Sequence, residues 1–593
     1  MLEGYVRWRA KVAFFAGAAL CALTTIGRLE CETARQTQNQ QAHINARYSQ
    51  GLEALQRGDL AGARAIFEDL ARSAPRSPEV HNSLGWVLLH QGQTDGAIVE
   101  FKSALKFRPN FPQAHLNLAN ALSALRDFAE AESEAREAVR LAPKDSEAHR
   151  TLGRVLSLRG NLQAAIAEMQ SAVALEPARP DLHDDLGSLL VQAGRQEEGA
   201  AEFSQALRLQ PESSIAAMHL GVLRWQQNDL AAARDLLAKA AAGSPQNAQA
   251  HYYFGRVLEA EKKSDRALEE FTKAVTLQPD FAEAQEALGL LLQRKGDSDG
   301  ALAAFRRLIQ LRPDDPDAHN NLGLAMIQAG DAAGAIPEFE TAIRMRPEDA
   351  GYVENLGTAY LQKADFDSAI LQFEAALKIA PQDATAHYDL GLALKLKDKL
   401  PEALAEFRKA AELAPDQPDV HYTLGVTLWQ KGDFPAAEDE LRAAARVKPD
   451  YSEAYYTLGT VLRQDGKLQE AAAALRQAIA LDPGLAGAHT NLAAILRQLG
   501  DAAGADAETR RAQELFRHSN SLQAATFNTN SGRKLLEAGD LDGAISQFRA
   551  AINLAPTYAP AHRQLAEALK RKGNRAEAEE EFRRAAELSG QRQ

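Results

Sequence analysis

The 593-residue chain lacks several features that mark common classes of protein. Its two cysteines, Cys21 and Cys31, allow at most one disulfide, so the rest of the chain is indifferent to the redox compartment. The formal net charge is −13 and no basic cluster occurs, which argues against nucleic-acid binding. No H-E-x-x-H motif and no cysteine–histidine cluster is present, so we predict no metal, no cofactor and no catalytic residue.

Prolines, by contrast, recur along the chain at a fixed interval. Thirteen are spaced 34 residues apart and one more follows after 73, namely Pro75, Pro109, Pro143, Pro177, Pro211, Pro245, Pro279, Pro313, Pro347, Pro381, Pro415, Pro449, Pro483 and Pro556. A period of this size predicts stacked helical hairpins. With the proline at position 32 of each repeat, sixteen repeats run from residue 44 to residue 592, which leaves little chain for a catalytic domain.

Other repeat positions explain how two short helices pack together. Position 8 is glycine in thirteen repeats and alanine in three, position 20 is alanine except at Gly199, and position 24 is most often phenylalanine. Small residues let two helices approach, and the aromatic ring fills the space beside them. Position 15 is usually glycine, which suits the left-handed end of a first helix, and the proline ends the second helix. Because helices of about 13 residues are marginal alone, burial against neighbouring repeats must stabilise them.

These columns occur together in residues 316–349, PDAHNNLGLAMIQAGDAAGAIPEFETAIRMRPED. This segment resembles the tetratricopeptide repeat (TPR) family, and the resemblance covers residues 44–592. It implies an all-α fold, a right-handed superhelical solenoid of about sixteen antiparallel helix pairs. It also implies that positions 2, 5, 6, 9, 12 and 13 of each repeat line a concave groove.

The N-terminal segment differs from the repeats. Arg7, Arg9 and Lys11 precede the uncharged stretch from Val12 to Gly27, which is typical of a secretory signal or of an uncleaved signal anchor. A buried helix of the first repeat is the alternative. Since a basic flank keeps the N-terminus inside, we predict that the repeats are exported and are periplasmic or anchored to the inner membrane.

The repeat pattern breaks once, in repeat fourteen. Arg517 replaces the proline, and Asp506 and Gln513 occupy positions 21 and 28, which are apolar in most repeats and are expected to bury against the next repeat. Five extra residues then precede repeat fifteen. We expect Ala502 to Leu536 to form a lengthened helix or a hinge, with the last two repeats rotated off the main superhelix. A decayed repeat that stacks normally is the alternative.

The chain therefore divides into five predicted segments. They are a signal peptide or signal anchor (1–27), a polar linker (28–43), fourteen TPR repeats (44–519), an insertion or hinge (520–524) and two C-terminal repeats (525–592).

Histidine occupies position 4 in ten repeats, which suggests a metal ladder. Packed helices lie 8–10 Å apart, so equivalent histidines of successive repeats are too distant to share one zinc ion about 2.1 Å from each nitrogen. We interpret the column as partly buried packing residues.

Position 6 resembles the asparagine ladder in the TPR region of O-linked N-acetylglucosamine transferase, which holds a peptide backbone through side-chain amides. An amide donates and accepts together, which suits an extended chain. Asn117, Asn321, Asn355, Asn491 and Asn530 match this position, but other repeats carry serine, threonine, aspartate or histidine. The resemblance implies a peptide-binding groove, with the run Asn320, Asn321 and Asn355 as its strongest part.

A second candidate patch is aromatic. Tyr388, Tyr422 and Tyr456 occupy position 5 in three successive repeats, and Trp429 occupies position 12. Exposed aromatic side chains in a groove would supply binding hot spots, and rings packed along the helices are the alternative. Arg150 and Arg154 are candidates for binding acidic groups, with a solvated face as the alternative.

The expected function is a non-catalytic scaffold in the bacterial cell envelope that binds partner proteins or extended peptides in the groove. A self-associating assembly factor and an accessory subunit of a glycosyltransferase-type enzyme are the alternatives. The predicted partners are proteins or peptides, with no nucleic acid and with membrane contact only through the N-terminal segment.

Overall fold

The computed structural model of the protein describes residues 40–590, which are helical except for the short turns that join the helices. No strand occurs between residues 40 and 590. The helices are α1 (40–56), α2 (Leu60–Ser73), α3 (Pro78–His90), α4 (Thr94–Phe107), α5 (Pro112–Ala124), α6 (Phe128–Leu141), α7 (Ser146–Leu158), α8 (Leu162–Leu175), α9 (Pro180–Gln192), α10 (Gln196–Leu209), α11 (Ser214–Gln226), α12 (Leu230–Gly243), α13 (Ala248–Ala260), α14 (Ser264–Leu277), α15 (Ala282–Lys295), α16 (Ser298–Leu311), α17 (Pro316–Gln328), α18 (Ala332–Met345), α19 (Ala350–Gln362), α20 (Phe366–Ile379), α21 (Ala384–Leu396), α22 (Leu400–Leu413), α23 (Pro418–Lys431), α24 (Phe434–Val447), α25 (Ser452–Gln464), α26 (Leu468–Leu481), α27 (Ala486–Gln498), α28 (Ala502–Glu537), α29 (Leu541–Leu554), α30 (Ala559–Lys572) and α31 (Arg575–Gly590).

These helices form two compact units, which meet in sequence at residues 291 and 292. Both units are built in the same way. A first helix packs against the second helix of its own repeat, as α3 does against α4, and the second helix packs against the first helix of the next repeat, as α4 does against α5. The predicted all-α architecture of stacked helical hairpins is therefore confirmed.

The turn inside each hairpin requires one residue with positive φ, at position 15. Glycine supplies it in eleven repeats, as at Gly330 with φ of 84°. Five repeats carry a residue with a side chain there, namely Arg126, Asn228, Lys262, Ala364 and Asp398. The next residue is often an aspartate that caps the second helix: the backbone N–H of Gly334 donates to the Asp331 carboxylate over 2.8 Å.

The hairpin core is the contact between position 8 and position 24. Phe339 is fully buried, and a Cβ placed on Gly323 would lie 2.6 Å from its Cε1 atom. Three repeats carry alanine at position 8, and two of them have no aromatic ring at position 24; the pairs are Ala119 with Ala135, Ala493 with Thr509 and Ala566 with Phe582. Phe582 alone among these keeps its ring, which is 37% exposed instead of buried.

First helices pack more closely on one another than second helices do. In the second unit α17, α19 and α21 contact one another in succession, as do α23, α25 and α27, and in the first unit α3, α5 and α7 do the same. Within residues 40–590, second helices of successive repeats show no comparable contact. Side chains of neighbouring first helices can therefore reach one another.

The irregular region around repeat fourteen is one continuous helix, α28, of 36 residues. It joins the second helix of repeat fourteen, which packs on α27, to the first helix of repeat fifteen, which packs on α29, so residues 520–524 are helical. Since a straight helix cannot fold back on itself, these two parts of α28 cannot pack side by side. The residues that would bury there are exposed, and Phe527 is 73% exposed although the equivalent Ala561 is fully buried.

Of the two forms expected for this region, the structure shows the lengthened helix, and a rotation of the last two repeats stays a prediction. Asp506 and Gln513 are exposed on α28, so no buried polar cost arises. The predicted signal or anchor, residues 1–27, lies outside the described residues, as does the linker up to residue 39. Among the helices of residues 40–590, none combines the length and the apolar character needed to cross a membrane.

The strained turn at Ala364 generates a first prediction. An L-residue at φ of 59° costs about 1–2 kcal/mol, which glycine avoids. Ala364→Gly should therefore raise the opening free energy of α19 and α20 by about 1 kcal/mol, measured by amide hydrogen exchange of the full chain. Gly330→Ala, at the same turn of the preceding repeat, is the reciprocal control and should lower protection in α17 and α18. Lower protection in Ala364→Gly would contradict this explanation.

Candidate functional site

Side chains of successive first helices form hydrogen-bonded rungs. The paired residues are 35 apart in sequence, because position 5 of one repeat meets position 6 of the next. The rungs are Tyr48 with Ser83, Asn82 with Asn117, Arg150 with Asp185, Asp184 with His219, Asn320 with Asn355, and Tyr388 with Thr423. We call the surface formed by these first helices the first-helix face.

The predicted asparagines take part in these rungs. The Asn355 Nδ2 atom donates to Asn320 Oδ1 over 2.8 Å, so the structure brings these two residues together from α19 and α17. Asn117 is buried and donates to Asn82 over 3.0 Å. Asn321 is half-buried on α17, one residue beyond the Asn320 rung. The rung between Asn320 and Asn355 uses one amide hydrogen of Asn355 and the amide oxygen of Asn320. The amide hydrogens of Asn320 and an oxygen lone pair of Asn355 are left for another partner.

The predicted aromatic residues lie half-buried on α21, α23 and α25, and each contacts the following repeat or the turn before it. The Tyr388 hydroxyl is 3.1 Å from Thr423 Oγ1, and its ring centroid is 5.7 Å from that of Phe407. The rings of Tyr422 and Tyr451 are 5.2 Å apart.

Two further contacts complete this aromatic patch. The Trp429 Nε1 atom donates to Gln464 Oε1 over 2.6 Å. A Cβ on Gly487 would lie 2.9 Å from the Tyr456 hydroxyl oxygen, so this ring also reaches the following first helix. The rings therefore pack between repeats while part of each stays exposed. Both expected roles, hot spot and packing, are compatible with this placement.

The first-helix face of the first unit carries an aromatic group that the sequence analysis missed. The rings of Trp225 and Tyr253 are 6.1 Å apart, and the Arg256 guanidinium lies 5.5 Å from the Trp225 ring. These residues occupy positions 12, 6 and 9 of repeats six and seven. Applying the groove positions to every repeat, rather than searching for repeated tyrosines, would have found them.

Arg150 and the histidines at position 4 already contact other groups of the repeats. The Arg150 Nε atom lies 2.6 Å from an Asp185 carboxylate oxygen, and its Nη1 atom lies 2.7 Å from Asp181. Position-4 histidines such as His319 contact a glutamate of the second helix and a proline carbonyl of the turn before α17. Between residues 40 and 590, no group of histidine, cysteine and acidic side chains could hold a metal ion.

Comparison with known proteins identifies the repeats. Three sequence profiles, each described as a tetratricopeptide repeat, match the chain. The first matches residues 48–115, 185–248, 286–350, 354–418 and 422–486, the second matches 88–155 and 535–591, and the third matches 248–281. The first profile alone spans more than half of the chain. The chain belongs to the tetratricopeptide repeat family.

Three solved structures illustrate the similarity of this TPR chain to known folds. The Cut9–Hcn1 hetero-tetramer of the APC/C is 15% identical, with 88% of this chain and 95% of that chain covered and a TM-score of 0.34. PilF of Pseudomonas aeruginosa is 23% identical, with 35% and 95% covered and a TM-score of 0.33. A tetratricopeptide repeat protein from Parabacteroides merdae is 18% identical, with 42% and 98% covered and a TM-score of 0.36.

These TM-scores are too low for the three structures to carry any argument about partners. A search of curated proteins finds no significant match. TPR repeats are protein-interaction modules, and their presence along the chain makes it a protein-interaction scaffold.

One rung of the TPR array pairs two acids. Glu354 on α19 and Asp389 on α21 occupy positions 5 and 6, where other repeats form hydrogen bonds. Burial, together with the charges of Asp383 and Asp389, raises the pKa of Glu354 to about 7. Burial and the charge of Asp383 raise the pKa of Asp389 to about 6. This part of the first-helix face therefore gains negative charge as the pH rises from 6 to 8.

The raised pKa of Glu354 generates a second prediction. The pKa of Glu354 is raised from 4.5 to about 7 in the folded state, so its ionised form destabilises the fold. This destabilisation is absent below the unfolded pKa and is complete above pH 7. Glu354→Gln should therefore stabilise α19 and α21 by about 1 kcal/mol at pH 8, after solvent screening, and have little effect at pH 5. Hydrogen exchange at both pH values measures this, with the exposed Glu348→Gln as control. An equal gain at both pH values would refute the burial argument.

Proposed function

We propose that the TPR array binds an extended segment of a partner protein along the first-helix face of repeats nine to thirteen, on α17, α19, α21, α23 and α25. The observation that carries this proposal is the unbroken succession of half-exposed polar and aromatic side chains on these helices. It begins at the Asn320–Asn355 rung, continues through the Tyr388–Thr423 rung and ends at Trp429 and Gln464.

The asparagine rung supplies the polar part of this surface. Because Asn355 donates to Asn320, the orientation of both amides is held before a partner arrives. The free amide hydrogens of Asn320 can meet a peptide carbonyl, and the Asn355 oxygen can accept from a peptide N–H. Recognition of backbone groups in this way tolerates many side chains in the partner.

The aromatic residues supply the apolar part. Tyr388 and Trp429 are half-buried and are held by contacts to the following repeat, and Tyr422 is half-buried against Tyr451 in the turn before α25. A ring that is already immobilised loses little conformational entropy on binding, and tyrosine and tryptophan are enriched among hot-spot residues. The packing contacts of these rings therefore support a binding role, because they keep the exposed edges in place.

We further propose that the scaffold acts in the bacterial cell envelope, in the periplasm or anchored to the inner membrane. The support is the N-terminal sequence, in which Arg7, Arg9 and Lys11 precede the uncharged stretch from Val12 to Gly27. A protein-binding array without a recognised enzyme motif fits an assembly or tethering role there.

The aromatic surface generates a third prediction. Tyr388→Ala combined with Tyr422→Ala should weaken binding of a partner captured by the full chain by at least about tenfold, because two hot-spot rings are removed. Affinity is measured by titrating the purified partner against each variant. Circular dichroism should show unchanged helix content.

A control variant distinguishes a loss of packing within the repeats from a loss of contact with the partner. Tyr360, on α19, is half-buried in the core beside Phe339 and Leu356 rather than on the first-helix face. Tyr360→Ala should disturb packing while leaving affinity within about twofold. Equal loss of affinity in both variants would remove the aromatic patch from the binding site.

The N-terminal segment generates a fourth prediction. In a bacterial host, the full chain should fractionate with the periplasm or the inner membrane, and a variant lacking residues 12–27 should stay in the cytoplasm, because it has no apolar segment to engage export. Immunoblotting of the fractions measures this. Cytoplasmic recovery of both forms would refute the envelope proposal and leave partner binding untouched.

A further inference from the structure

The ten histidines at position 4 are matched by glutamates at position 23. In every repeat with the histidine, residue 23 is glutamate, as the pairs His81 with Glu100, His115 with Glu134, His149 with Glu168, His183 with Glu202, His251 with Glu270, His319 with Glu338, His387 with Glu406, His421 with Glu440, His489 with Glu508 and His562 with Glu581 show. The six repeats without it carry no glutamate there, but Ile66, Leu236, Ala304, Gln372, Ala474 and Gln547.

Each histidine is bonded through both ring nitrogens. In repeat three, His115 Nδ1 lies 2.5 Å from Glu134 Oε2, and its Nε2 lies 2.8 Å from the Pro109 carbonyl oxygen. The same two bonds occur in all ten repeats, with Nδ1 distances of 2.5–2.7 Å and Nε2 distances of 2.8–3.3 Å.

The geometry joins three elements at each ring. The histidine lies on the first helix and the glutamate on the second helix of the same repeat. The proline carbonyl belongs to the turn that follows the second helix of the preceding repeat. For His115 these elements are α5, α6 and the turn after α4. One imidazole therefore ties a hairpin together and also ties it to its predecessor.

The two partners define the number of protons on the ring. A carbonyl oxygen only accepts, so Nε2 must donate to Pro109. The contact of 2.5 Å between Nδ1 and the Glu134 carboxylate then requires one more proton, carried by the ring or by the carboxyl group. If that proton is lost, one ring nitrogen keeps a lone pair that faces an acceptor oxygen, either the Glu134 carboxylate or the Pro109 carbonyl, and that contact becomes repulsive.

We propose that the ten histidine–glutamate–carbonyl triads are proton-linked locks between consecutive repeats, and that stacking of the array weakens when the shared proton is lost. The lock is a property of the repeat interfaces and does not depend on the binding surface proposed above. In repeat three, where the ring is that of His115, it makes the packing of α5 against α6 and against the turn after α4 sensitive to pH.

Repeat eight, which lacks the histidine, can be compared with the ten repeats that carry it. There Gln285 replaces the histidine and its Nε2 atom donates to the Pro279 carbonyl over 3.3 Å, so the bond to the preceding turn needs no titratable group. Position 23 of that repeat is Ala304. Glutamate is therefore present where the residue at position 4 is histidine, and absent in repeat eight, where glutamine makes the same contact to the carbonyl. This indicates that the glutamate serves to hold the second proton of the imidazole ring.

The charges around His115 favour the protonated ring. Desolvation acts to lower its pKa, but the hydrogen bonds to Glu134 and Pro109 and the charges of Glu134 and Glu137 outweigh it, so the pKa of His115 is raised above 6.5. Both glutamates lie on α6. No titratable side chain of α3, α4 or α7 is hydrogen-bonded to the ring. Because the folded pKa is raised, the stabilisation is complete below pH 6.5 and is lost as the pH rises through the folded pKa.

The test transplants the repeat-eight residues into repeat three of the full chain, as His115→Gln with Glu134→Ala. Amide hydrogen exchange of α5 and α6, normalised for intrinsic exchange, is measured at pH 6 and pH 9. At pH 6, normalised exchange should be about tenfold faster in the variant than in the wild type. The ratio of the two exchange rates should fall towards one at pH 9. A ratio that does not change with pH would overturn the proposal.

A second measurement keeps the proposal testable if the double variant unfolds locally. In the full chain labelled with ¹⁵N-histidine, the His115 ring, identified by its absence in His115→Gln, should be mostly doubly protonated at pH 6.5, because its pKa is raised above that value. Glu134→Gln, which keeps the size and an acceptor oxygen, should lose the second proton at a lower pH than wild type. A wild-type ring that is mostly singly protonated at pH 6.5, or no shift in Glu134→Gln, would overturn the proposal. The exposed histidines His43 and His518 serve as internal references.

Discussion

The contact between the small residue at position 8 and the large side chain at position 24 determines the distance between the two helices of each hairpin. Phe339 fills the space that a side chain on Gly323 would occupy, and the same fit recurs in most repeats. Every other interface depends on it, because a hairpin of the wrong thickness cannot present both of its outer faces to its neighbours. The exceptions support this, since alanine at position 8 accompanies either a small residue at position 24 or the displaced ring of Phe582.

Two sets of polar contacts then connect one hairpin to the next. On the first-helix face, rungs such as Asn320 with Asn355 join residues 35 apart, and at the turns the histidine triads join a ring to the preceding repeat. Both sets satisfy side chains that would otherwise be costly to bury. The rungs also position half-exposed Tyr388, so this part of the surface proposed for binding is held by contacts that join neighbouring repeats.

The helical hairpins and the place where their stacking is interrupted could be predicted from the sequence, because equivalent positions can be compared among the sixteen repeats of one chain. The proline interval and the small residues at positions 8 and 20 predicted the hairpins, and the polar residues Asp506 and Gln513 marked the place where stacking is interrupted. The acid pair Glu354 and Asp389 was not predicted. Its members belong to different repeats, and only the lateral offset of neighbouring first helices brings position 5 against position 6.

The sequence by itself determined the fold family and the stacking of helical hairpins, because these depend on local spacing and on the identity of residues at one position. The tertiary structure decided which side chains meet between repeats, the protonation demanded of His115 by its two acceptors, and the continuity of α28. The physical reason is that such contacts depend on the angle and offset between packed helices. Those quantities are set by many side chains together, and no single column of the repeat contains them.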